Sequence, residues 1–144
     1  MIRGANAFSR AALTMAVCTP LSPEIARGYL APYDSWHNRI AVLRFVQDIP
    51  LSEKDRSWKT LTEIEAGLTQ FSNTPMFIMW GGKDFCFNDY FYAEWKQRFP
   101  HAHTRYFPHA GHYVLEDAFD EIGPLIQDFL EQLPVKPDFP AKSQ

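Results

Sequence analysis

Apolar positions recur at helical spacing through the first half of the chain. In the second half they gather into short runs between helical stretches. Phe8, Ala12, Met15 and Ala16 fall near one face of a helix over residues 7–17, which stops before Pro20. Ser22 reads as the cap of a second short helix, with Pro23 at its first position and Gly28 near its end. Ala31-Pro-Tyr-Asp34 reads as a turn. Ser35 or Asp34 then caps a third helix, whose stripe is Trp36, Ile40, Leu43 and either Val46 or Phe45; it ends before Pro50. After the charged link Ser52–Arg56, a fourth helix over 57–71 places Trp58, Leu61, Ile64 and Leu68 on one face.

The pattern changes after Thr74-Pro75. Met76–Trp80 is a continuous apolar run too short for a helix, as expected of a strand buried on both faces of a parallel sheet. Gly81-Gly82 ends it. Asn88 or Asp89 caps a helix over about 89–99 that buries Phe91, Trp95 and Phe99 and stops at Pro100. Thr104–Phe107 reads as a second strand. A last helix starts at Asp117 and runs to about Gln132, with a kink or a split expected at Gly123-Pro124. Strand–helix–strand–helix over 75–132 is an α/β unit with parallel strands. Residues 134–144, with three prolines, read as a loose tail.

Composition narrows the function classes. The length of 144 residues suits one domain, and 46% apolar content with 12 Phe argues for an ordered core. A net charge of −3 excludes a basic nucleic-acid footprint. No apolar run reaches the 18 residues of a membrane span. Cys18 and Cys86 are widely separated and show no metal spacing, which suits a reduced, cytoplasmic setting. Arg3, Arg10 and the run Ala11–Cys18 have some features of a targeting peptide. The run is short, is interrupted by Thr14 and is followed by no small-x-small cleavage site, so it reads as an ordinary helix.

The candidate chemistry lies just past the two strands. Asp84 follows Trp80-Gly-Gly-Lys, and His112 sits in Ala-Gly-His-Tyr, 28 positions on. Functional groups gather at the carboxyl ends of strands in open α/β sheets. Alone, Asp84 reads equally as turn chemistry, and His112 reads more readily as a surface-loop histidine. Together they supply what a histidine base needs, a carboxylate that fixes its tautomer. Phe85, Phe87 and Tyr113 flank the pair and either wall an apolar pocket or pack beneath the loops; Trp36 reads as a pocket roof or a core residue. A metal reading of His101, His103, His109, His112 and Asp84 lacks any ligand-pair spacing, and no metal or cofactor is expected. Cys86 has no base of its own other than His112. Glu116 and Asp117 read as acids at the N-terminus of the last helix, with Glu116 also able to brace the histidine loop.

Trp80-Gly-Gly-Lys-Asp84 and Gly111-His-Tyr-Val-Leu-Glu-Asp117 resemble the acid and histidine motifs of α/β-hydrolases. The resemblance is to the branch containing haloalkane dehalogenases, epoxide hydrolases and β-lactone decarboxylases. Ala31–Arg39 and Arg44–Pro50 are similar to that branch's cap. The resemblance implies a partial α/β-hydrolase fold: a helical cap and return helix over 1–71, then two parallel strands with flanking helices over 72–133. It implies catalytic roles for Asp84 as triad acid and His112 as base, with a small apolar substrate such as an ester, epoxide, haloalkane or lactone. No G-x-[SD]-x-G nucleophile elbow occurs in these 144 residues. The expectation is therefore the C-terminal part of such an enzyme, inactive alone, partnered by the missing N-terminal half or by a second copy. The alternative is a non-catalytic module that pairs with another chain through an open strand edge.

Overall fold

A computed structural model describes residues 2–133. The first half is helical: α1 (Ala7–Met15), α2 (Pro23–Leu30), α3 (Ile40–Gln47) and α4 (Trp58–Gly67), with 3-10 turns at Gly4–Asn6, Ala31–Tyr33 and Leu68–Phe71. The second half runs β1 (Phe77–Gly81), α5 (Asp89–Arg98), β2 (His103–Phe107), α6 (Val114–Asp117) and α7 (Phe119–Glu131). β1 and β2 form a two-stranded parallel sheet in which Phe77 lies opposite His103 and Gly81 opposite Phe107. The expected α/β architecture is present.

Local chemistry accounts for the boundaries. Ser22 Oγ accepts the Ile25 N–H at 3.2 Å and caps α2. Asn88 Oδ1 does the same for Tyr90 N–H at 3.1 Å in α5. Asp89 in the first turn of α5 and Lys96 and Arg98 in its last complement the helix dipole. Trp80 Nε1–H donates to the Phe87 carbonyl at 3.0 Å and its ring lies 5.7 Å from Tyr92, so β1, the following loop and α5 are held together.

Several expectations are corrected. The helix expected from Trp36 begins only at Ile40. Ser35 Oγ accepts Asn38 N–H, and Asp34 Oδ1 accepts Asn38 Nδ2–H at 2.7 Å, so these side chains close a turn ahead of the helix. Of the two candidates on α3, Val46 faces inward and Phe45 is 72% exposed. β1 is half-buried rather than covered on both faces, and only one other strand flanks it among the described residues. Phe91 is exposed, while Phe99 is buried. The last helix does not break at Gly123-Pro124. Pro124 lies inside α7, and the break falls at Ala118, whose φ of −133° is non-helical. Pro124 forfeits only the bond to the carbonyl of exposed Asp120. The tail expected over 134–144 lies outside the described residues.

The core sits between the sheet and α7. Phe107, Ala110, Ala118 and Ile122 are buried together, with Met79, Val114, Leu125 and Ile126 packed on them. Burying a side chain such as Ile122 contributes about 1.5–3 kcal/mol. Much other apolar surface stays open: Leu61 and Ile64 on α4 are both exposed, as are Leu51 and Phe119. No helix among the described residues is long and apolar enough to cross a membrane.

Candidate active site

The acid is placed by the end of β1. After Gly81 the chain turns over β2: Gly82 N–H donates to the Phe107 carbonyl at 2.8 Å and Lys83 N–H to the Ala110 carbonyl at 2.9 Å. Asp84 then divides its two oxygens. Oδ1 accepts the N–H groups of Cys86 and Phe87 at 2.8 and 2.9 Å, which fixes the following loop. Oδ2 receives His112 Nδ1 at 2.9 Å. The carboxylate offers only acceptors, so Nδ1 is the donor, and in the neutral ring Nε2 is left with the lone pair. The Asp84 side chain is 10% exposed and that of His112 29%, so the pair meets at the edge of solvent.

The histidine is placed by a loop clamped from three sides. Ala110 and Gly111 are fully enclosed. Tyr113 N–H donates to the Ala16 carbonyl at 2.8 Å. Asp117, expected at a helix N-terminus, instead ends α6 and turns back: Oδ2 accepts Gly111 N–H at 2.7 Å and Cys18 N–H at 2.9 Å, and Oδ1 accepts Thr19 N–H at 2.8 Å. Burial alone would raise the Asp117 carboxyl, but the N–H groups of Gly111, Thr19 and Cys18, with His109 nearby, outweigh it and hold the group below its ordinary range. Glu116 accepts the Tyr29 hydroxyl at 2.7 Å, and Tyr29 stacks on Tyr113 at 5.4 Å. That hydrogen bond, then burial and the neighbouring charge, push the Tyr29 hydroxyl up to about 12.

Three of the four expected pocket residues gather at the imidazole. The rings of Phe87, Tyr113 and Phe85 lie 5.4, 5.9 and 6.2 Å from it. Trp36 is engaged elsewhere, 60% exposed beneath the Arg3 guanidinium at 4.3 Å. Next to Tyr113 and Tyr29, α1 and α3 line a mostly apolar, open groove of about 510 Å³ that also touches Phe8 and Val42.

Donor atoms of Asp84, Cys86 and His112 lie within 4.8 Å of one another. A metal there would have to displace bonds that both Asp84 oxygens already make. Burial and then the Asp84 charge hold the Cys86 thiol above its ordinary range, which disfavours the thiolate a nucleophile needs. His101 and His103 are exposed at the far end of β2, and His109 pairs with Glu121 at 3.0 Å. The clamp formed by Asp117 had no signature in the sequence, because its three donors come from backbone up to 99 positions away.

No family model matches the chain. It is 44% identical over 133 residues to the cis-3-alkyl-4-alkyloxetan-2-one decarboxylase of Shewanella oneidensis, covering 92% of this chain and 42% of that protein. It is 42% identical over 134 residues to the same enzyme of Xanthomonas campestris pv. campestris, covering 93% of this chain and 45% of the relative. A similar solved structure is the haloalkane dehalogenase DatA from Agrobacterium tumefaciens C58, with a TM-score of 0.72 and 21% identity over 90% of this chain and 45% of that one. The chain thus spans less than half the length of the relatives it matches. The chain therefore has part of the fold of that dehalogenase, and over the same stretch its sequence is similar to part of the two decarboxylases.

Proposed function

We propose that this chain contributes the acid and the base of a nucleophile–His–Asp triad that acts on a small apolar ester, epoxide, haloalkane or lactone. The observation that carries the reading is the 2.9 Å bond from His112 Nδ1 to Asp84 Oδ2, made between the loops that follow two adjacent parallel strands. Asp84 orients the ring and stabilises its protonated form. The free Nε2 then takes a proton. With an Asp nucleophile, its carboxylate attacks a saturated carbon of a haloalkane or epoxide, expelling halide or breaking the epoxide C–O bond, to give a covalent alkyl ester, and His112 activates the water that hydrolyses it. With a Ser nucleophile, His112 first removes the hydroxyl proton. The similarity of the helical half to a cap favours Asp. In this reading residues 2–71 roof the site, and Phe85, Phe87 and Tyr113 wall the apolar side of it.

The nucleophile elbow would come from polypeptide outside these 144 residues. The isolated chain is therefore expected to leave a generic ester such as p-nitrophenyl butyrate intact. Adding the polypeptide encoded immediately upstream should restore turnover, and His112→Ala should abolish it. Ester turnover by the isolated chain that disappears in His112→Ala would overturn the reading, as would an upstream reading frame that encodes no elbow.

A second reading is a non-catalytic module that pairs through a strand edge. The outer edges of β1 and β2 both lack a strand partner among the described residues. A clean monomer in size-exclusion chromatography, melting cooperatively, would count against it. A stable complex with an elbow-bearing chain would instead support the split active site.

A further inference from the structure

We propose that Asp117 is the positioning residue of the Asp84–His112 pair, and that its carboxylate fixes the backbone carrying the histidine. This rests on the reading of that pair as the working acid and base. His112 lies between two anchored amides. Gly111 N–H on one side goes to Asp117 Oδ2, and Tyr113 N–H on the other goes to the Ala16 carbonyl. The second anchor depends on the first residue as well, because Asp117 also binds Cys18 and Thr19 N–H and so holds the segment that carries Ala16. A carboxylate accepting three backbone amides joins two stretches of chain 98 and 99 positions apart at one point.

The space around the loop makes this placement unforgiving. A Cβ at Gly111 would meet the Ala16 carbonyl oxygen at 2.9 Å and Asp117 Oδ2 at 3.3 Å. On its other side the loop rests on Gly81 and accepts Lys83 N–H. The histidine loop is therefore held between the acid's own turn and the Asp117-bound segment. Releasing the latter leaves the imidazole fastened on one side only, and the bond to Asp84 loses its fixed geometry.

The test uses the chain itself and nuclear magnetic resonance. The His112 Nδ1–H proton, bonded to a carboxylate, should give a resolved low-field line in the wild type that vanishes in Asp84→Asn. In Asp117→Asn the sheet amides should stay protected, while the low-field line is lost and the Gly111, Cys18 and Thr19 amides exchange about tenfold faster. Asp117→Glu, which keeps the charge, should recover part of the protection. Asp120→Asn, in the first turn of the next helix and exposed, should change nothing. An unchanged line in Asp117→Asn would overturn the proposal. Should that variant not fold, the wild type decides: Cys18 and Thr19 must be protected to the same degree as Gly111, and free exchange of those two with Gly111 protected would overturn it. Absence of the low-field line in the wild type would instead remove the Asp84–His112 reading.

Discussion

Gly81 and Gly111 touch where no side chain could fit: a Cβ at Gly81 would lie 2.2 Å from the Gly111 carbonyl oxygen and 2.7 Å from that of Ala110. Gly81 ends the strand that delivers the acid, and Gly111 precedes the histidine. Close backbone approach at this point sets the separation of Asp84 and His112. Gly81→Ala should therefore cost about 3 kcal/mol, the upper part of the range for overpacking. Urea unfolding would measure it, and a loss below about 1 kcal/mol would mean that the loops can part without penalty.

Gly28 is the contrasting case. It lies within α2, and a Cβ there meets nothing within 4 Å. Gly28→Ala should stabilise the chain by about 0.5–1 kcal/mol, since a helical glycine only adds freedom to the unfolded state. Thermal melting would detect the rise, and no change would show that α2 contributes little to the cooperative unit.

Tyr29 gives an alkaline signature. Its hydroxyl is held neutral up to about 12 in the folded chain, whereas an unfolded tyrosine ionises near 10. The stability it adds is whole below about pH 10 and is lost as pH rises through the folded value. Tyr29→Phe should lose less stability than the wild type between about pH 10 and 12. Equal losses would mean that the bond to Glu116 does not persist in solution.

Asp117 gives the opposite signature. Its carboxyl is held below the ordinary range in the folded chain, against about 3.9 when unfolded. Its contribution is whole above that value and drains as pH falls through the lower, folded one. The stability gap between wild type and Asp117→Asn should therefore be constant near neutrality and close below about pH 4. A gap that persists to the acid limit would locate the effect in packing rather than charge.

Much of the site was legible because it depends on local order. Asp84 and His112 each follow a short apolar run, and the run itself marks the strand end. The Asp117 clamp and the Tyr29–Glu116 bridge were not legible, because each joins groups 87 to 99 positions apart. Nothing in either segment alone signals the other. The helix start at Ile40 was missed for a different reason. Asp34 and Ser35 can cap a helix or close a turn, and only the surrounding backbone selects between them.

The sequence by itself determined the α/β alternation, the strand ends and the choice of Asp84 and His112 as candidate partners. These follow from apolar periodicity and from glycine and proline punctuation, which act over a few residues. The tertiary structure alone decided the 2.9 Å contact between the pair, the convergence of Phe85, Phe87 and Tyr113 on the imidazole, and the use of Asp117 as a clamp. Those outcomes depend on which distant backbone amides and rings meet when α1, the histidine loop and the end of β1 pack together. Partial burial there leaves these N–H groups and carboxylates less water to turn to, so partners within the fold become favourable.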